Sequence, residues 1–133
     1  MNCTFENELI ELKIENFDYI VNDCEVLNID ENKILSLLSD YKEITFEKAY
    51  YDEPCENCVT EKSKEKFFKF LETNFFIFTK DNNFIISDIS KEYEETSFRK
   101  LSKDGLVDDS YIITLVLCDI CKKFYISIEH CVI

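Results

Sequence analysis

Glycine is almost missing from this chain: Gly105 is the single copy in 133 residues. Phosphate-cradling loops and the dinucleotide fingerprint each need several glycines, where the backbone turns left-handed or approaches a ligand closely, so both are excluded. Arg99 is the only arginine, which leaves no guanidinium cluster to clamp phosphate or carboxylate groups. His130 is the only histidine, so the two-histidine motifs of metal hydrolases are absent. Pro54 is the only proline, and tryptophan does not occur. Long apolar runs are missing too. The longest, Tyr111 to Cys118, is far shorter than the roughly 20 residues a membrane helix needs, and it contains Thr114. Met1 to Phe17 carries Glu6, Glu8, Glu11 and Glu15, with no basic n-region or apolar h-region, so no secretory leader and no membrane association are expected.

What is present bounds the rest. Acidic residues outnumber basic ones 28 to 15, for a net charge of −13. Such a surface works against nucleic acid backbones and anionic lipid, and it favours solubility or a basic partner. Lys62, Lys66 and Lys69 on one predicted helix face, and Lys122 with Lys123, are the only basic groupings. They are too few to argue for a nucleic-acid footprint. The apolar fraction of 46% is that of a globular chain despite 32% charged residues. Abundant Lys, Asn and Ile fit an AT-rich bacterial or phage coding sequence, which is an association and not a physical result.

Periodicity predicts one α+β domain over residues 1–133, with a mostly antiparallel sheet and about three helices. Leu9 to Glu15 alternates Ile10, Leu12 and Ile14 against Glu11, Lys13 and Glu15, the pattern of a half-buried strand. Phe17 to Leu27 is expected to return as a second strand. Asp30 caps a helix with Ile34, Leu35, Leu37, Leu38 and Tyr41 on its apolar face. Ile44 to Tyr50 is expected to be a strand running up to Pro54. Thr60 or Ser63 opens a predicted second helix to about Thr73, with Phe67, Phe70 and Leu71 buried. Phe75–Thr79 and Phe84–Ser87 form a hairpin around Lys80–Asn83, where Asp and Asn tolerate turn conformations. Ser90 is the expected cap of a third helix ending near Gly105. Tyr111 to Leu117 is apolar on both faces, as in a central strand. Phe124, Ile126 and Ile128 alternate with Tyr125, Ser127 and Glu129 in a half-buried last strand.

Seven cysteines occur. In a cytoplasmic protein, the compartment expected here, they read as metal ligands or redox groups and not as a disulfide framework. Four of them form two Cys-x-x-Cys pairs, Cys55/Cys58 and Cys118/Cys121. The second reads strand, Cys118-Asp119-Ile120-Cys121, strand. Two thiolates so spaced can close on one tetrahedral ion while the chain reverses. The segment from Tyr111 to His130 resembles the zinc knuckle of zinc-ribbon and rubredoxin-like proteins. The resemblance implies a metal-bearing C-terminal β-hairpin and says nothing of substrate. Such knuckles usually place glycine directly after the second cysteine; here Lys122 and, in the first pair, Val59 stand there. Joined with Cys55 and Cys58, the knuckle makes a closed four-cysteine site for one structural zinc ion per chain, with residues 59–117 as a long insertion between its halves. Long loops close at slowly growing entropic cost, which permits that separation. In composition and paired cysteines the whole chain resembles small uncharacterised proteins of clostridia-like bacteria, a resemblance that carries no function.

No catalytic constellation emerges, so a non-enzymatic interaction or regulatory module with an unidentified protein partner is expected. Two other readings stay open. A strand, Cys55-x-x-Cys58 and a helix would also suit a dithiol redox protein, in which a helix N-terminus lowers the first thiol's pKa. Thioredoxin-like proteins place a cis-proline opposite that pair, however, and here Pro54 directly precedes it. Clustered carboxylates such as Glu92, Glu94, Glu95, Asp108 and Asp109 would suit an acidic mimic of nucleic acid. His130 and Cys131, being adjacent on a strand, point to opposite faces and make no local dyad. His130 is expected at the surface and is the first substitute for a missing cysteine ligand. Cys3, Cys24 and Cys131 receive no role, and oligomeric state is left open.

Overall fold

A computed structural model describes the backbone over residues 2–5, 8–41, 45–51, 68–118 and 121–131. Ten elements follow in chain order: β1 (Asn2–Phe5), β2 (Glu8–Glu11), β3 (Phe17–Val21), α1 (Glu31–Asp40), β4 (Glu47–Tyr51), β5 (Phe68–Lys80), β6 (Asn83–Ser87), α2 (Phe98–Lys103), β7 (Asp109–Cys118) and β8 (Phe124–Cys131). Single 3-10 turns at Ile14–Asn16 and Lys91–Glu95 punctuate them. β1 and β2 pair as a separate hairpin, and the other six strands form one mixed sheet in the order β3-β8-β7-β5-β4, with β6 also on β5. Among the described strands only β3 and β8 pair in parallel, and an isolated parallel bridge joins Leu27 to Asn83. The α+β class and the mostly antiparallel sheet therefore stand.

The two central strands explain the sheet. β7 buries residues on both faces, so both of its edges must find ladder partners, because unpaired buried backbone groups are costly. β8 takes one edge over Leu117↔Phe124 to Ser110↔Cys131. β5 takes the other over ten consecutive pairs, from Phe70↔Cys118 to Thr79↔Asp109. This pairing overrides the predicted second helix: residues 68–73 are strand, and residues 60–67 lie outside the described residues. Phe70 and Leu71 suit a helix stripe by spacing. They also suit a strand, with Leu71, Phe75 and Ile77 on one face and Phe70, Glu72, Asn74 and Phe76 on the other.

Leu71, Phe75, Ile77, Ile113, Leu115, Leu117, Phe124, Ile126 and Ile128 form the inner face, under Ile34, Leu37 and Leu38 of α1. The Asp30 carboxylate accepts the Lys33 N–H at 2.8 Å and caps α1 as expected. A smaller cluster of Phe70, Val116 and Cys118 occupies the opposite, outer face, with Cys121 and Tyr125 against it.

Three further expectations change. The first alternating strand stops at Glu11: Leu12 turns into the core at 2% exposure while Ile14 is 43% exposed. β3 does not return against that strand but joins β8, so the sheet gains its parallel edge. The third helix begins later than expected and is split. Ser90 precedes the 3-10 turn, whereas α2 is capped by Ser97, whose Oγ accepts the Lys100 N–H at 3.2 Å. Gly105, at φ +75°, ends α2 as predicted. Its N–H bonds the Ser102 carbonyl and the Leu106 N–H bonds that of Leu101, the paired arrangement of a left-handed helix stop.

The predicted hairpin at residues 80–83 is present, with Asp81 and Asn82 both at positive φ, as a tight two-residue turn between twisted strands requires. Among the described residues, no helix is long and apolar enough to cross a membrane.

Candidate metal centre

Cys118 is the last residue of β7 and is 4% exposed; Cys121, in the following turn, is half-buried. The Cys118 N–H donates to the Lys123 carbonyl at 2.9 Å, and the Lys122 N–H donates back to the Cys118 carbonyl at 3.0 Å. Lys122 has φ +65°. The turn thus uses a left-handed residue, a conformation that glycine adopts more cheaply, and lysine takes it here at a steric cost. The missing glycine does not prevent the reversal. Both cysteines join the outer-face cluster with Phe70 and Val116.

The same end of the sheet receives the first pair's connection. β4 ends at Tyr51, which pairs with Phe68 at the start of β5. Two residues further along β5, Phe70 pairs with Cys118. Cys55 and Cys58 fall in the stretch that joins Tyr51 to Phe68 and lie outside the described residues. Among the described residues, no group of three or more His, Cys, Asp or Glu side chains could hold a metal. Cys118 and Cys121 supply two donors of the type and spacing zinc takes.

The structure sets His130 and Cys131 apart from this end. They pair with Tyr111 and Ser110, seven and eight positions along β7 from Cys118, or roughly 23 Å or more at a strand's rise. His130 therefore cannot replace a ligand beside Cys118. It is 45% exposed, and its Nε2 lies 2.8 Å from Asp109 Oδ1. The carboxylates considered for mimicry lie on two segments, the 3-10 turn and the approach to β7. Glu92, Glu94 and Glu95 sit on the 3-10 turn, and Glu92 and Glu94 rim an open groove of about 860 Å³ beside α1 and β6. Asp108 accepts the Asp81 N–H, and Asp109 faces His130. Cys24, unassigned in sequence, packs against the inner core.

A row of side chains that the sequence did not single out borders the cysteine end. Cross-strand pairing aligns Glu47, Glu72, Val116 and Tyr125 on the outer face. The Tyr19 ring stacks on Tyr125 at 5.0 Å and 1°. The Tyr51 hydroxyl donates to Glu72 Oε2 at 2.7 Å, and its ring meets Phe70 edge-on. Burial, then that hydrogen bond to Glu72, pushes the Tyr51 phenol well above its ordinary range. Burial, then Tyr19 and Glu72, pushes Tyr125 up as well. The signal was hidden because Glu72 fell within a predicted helix, where it would have had no partner across a strand.

A mixed six-stranded sheet with one long helix over its inner face defines an α+β protein. The chain belongs to the family described as "Protein of unknown function (DUF3785)", whose pattern matches residues 1–133. No curated protein and no solved structure matches it.

Proposed function

We propose that the protein is a cytoplasmic, non-enzymatic interaction or regulatory module. In this reading one structural zinc ion, bound by Cys55, Cys58, Cys118 and Cys121, fixes one end of its sheet. The turn from Cys118 to Lys123 carries the reading, because it presents two cysteines on a closed reversal between strands, with a left-handed residue at Lys122.

Chain geometry adds support. Tyr51 and β7 flank β5, about two strand spacings or ~10 Å apart. Cys55 is four residues beyond Tyr51, and four extended residues span up to ~14 Å. The first pair is thus within reach of the second at small cost, although 59–117 intervenes in sequence. A tetrathiolate site has no open position for water or substrate, which suits a structural and not a catalytic ion.

Metal analysis of the full chain, purified under reducing conditions, is expected to find about one zinc per chain, released by a thiol-blocking mercurial. Cys118→Ser is expected to abolish zinc retention and lower the thermal midpoint by several degrees. Cys24→Ser should shift it by only about a degree or two. A folded, metal-free chain in which the two variants behave alike would sink this reading.

A further inference from the structure

We propose that the outer face of the sheet docks a lysine- or arginine-bearing segment of a basic partner protein, which gives the interaction reading above its surface and its partner chemistry.

The row of Glu47, Glu72, Tyr125 and Tyr19, with the buried Val116 as its floor, crosses five strands, a span of about 19 Å at the spacing of sheet strands. An extended segment of roughly six residues covers that length. Glu47 and Glu72 stand directly opposite each other. Like charges so placed work against strand pairing, and a cation seated between them turns that repulsion into attraction. Tyr51 holds one oxygen of Glu72, so the carboxylate is presented to the face in a fixed direction. At the other end of the row, the stacked Tyr125 and Tyr19 rings offer a flat aromatic surface, with Tyr19 42% exposed. Aromatic faces of this kind attract ammonium and guanidinium groups.

The adjoining row, Asn74, Thr114 and Ser127, is uncharged. Its Thr114 hydroxyl donates to Asn74 Oδ1 at 2.7 Å. Beyond it lies Glu129, which is exposed. Among the described residues that face outward on β4, β5, β7 and β8, Lys80 at the far end of β5 is the one cation. The charge also selects the occupant. A second copy of this chain would bring another −13 and a single arginine, so like charge opposes self-docking, whereas a basic segment is drawn in.

The test is fluorescence anisotropy of the full-length, reduced chain against a labelled peptide of alternating arginine and alanine, with zinc content and sedimentation measured on every variant. Glu47→Gln with Glu72→Gln is expected to weaken binding about tenfold, and Tyr19→Leu about threefold. Glu92→Gln with Glu94→Gln removes the same charge elsewhere and should change binding less than about twofold. Absent binding, or equal weakening by the two double variants, overturns the proposal, as does self-association through this face without peptide. A zinc-bound chain that lacks the expected pattern fails docking alone. A metal-free chain that shows it fails the zinc reading alone.

Discussion

Lys122 shows how a residue other than glycine can close a turn in the left-handed conformation. An L-residue at φ +65° is strained by its Cβ, whereas glycine is not but loses more entropy on folding. The balance predicts that Lys122→Gly stabilises the protein by about 0.5–1 kcal/mol, and that Lys122→Val destabilises it. Urea midpoints check both signs. Asp88 makes a prediction about pH. Burial raises its pKa, against bonds from Phe76, Ser87 and its own segment that lower it. The folded state therefore holds this proton more tightly than the unfolded chain does. Its favourable contribution is present below the ordinary carboxyl range and is lost as pH rises through the raised value. Asp88→Asn keeps an Oδ1 acceptor for the Phe76 N–H and removes the charge. It is expected to stabilise at pH 7, with the gain fading near ~pH 3 where both chains are neutral at this position. A gain that persists undiminished in acid would contradict this cause.

At the scale of elements, the β5–β6 turn is also a clasp. Asn82 donates from Nδ2 to the carbonyls of Cys24 at 3.1 Å and Glu25 at 2.6 Å, and its Oδ1 accepts the Tyr111 hydroxyl at 3.0 Å. Its backbone carbonyl accepts the Leu27 N–H, and Phe84 N–H returns to the Leu27 carbonyl. One turn thereby ties the segment between β3 and α1 to the sheet. Asn82→Gly retains the left-handed backbone and deletes the side-chain bonds, so it isolates the clasp from the turn. It is expected to cost about 1–3 kcal/mol, with faster amide exchange at Leu27. Asp81→Gly, in the same turn, should be close to neutral. Similar losses in both variants would show that only the turn matters.

At the scale of the whole molecule, the sheet separates two apolar clusters that answer to different forces. The inner face, with Ile77, Ile113, Leu115 and Ile126 each at 0% exposure, is held by burial. The smaller outer cluster at Phe70, Val116 and Cys118 is where the proposed zinc acts. Chelation under reducing conditions is expected to speed exchange at the Phe70 and Cys118 amides while Ile113 and Ile126 stay protected. Leu115→Ala should cost about 2–5 kcal/mol with or without metal. Uniform loss of protection on chelation would mean that the ion holds the whole fold and not one end of it.

Local chemistry made much of this protein legible in its sequence. The Asp30 cap, the Asp81–Asn82 turn and the Gly105 helix stop depend on what single residues do to nearby backbone, and each stands where its residue type demands. Alternation at Phe124, Ile126 and Ile128 marked β8, and apolarity on both faces marked β7 as central. The Cys118/Cys121 turn was legible for the same reason. The first half of β5 was not, because Phe70 and Leu71 satisfy a helix stripe and a strand equally well within a short window. Its identity came from the open edge of β7, a partner about 40 residues away in sequence. Nor could the sequence place β3 beside β8, exclude His130 from the cysteine end, or set Glu47 opposite Glu72. Those are facts of register, fixed only when distant strands share hydrogen bonds. The thiols of the Cys118/Cys121 pair were readable from spacing alone; the face they share, and the neighbours that give that face its charge, were decided by the sheet.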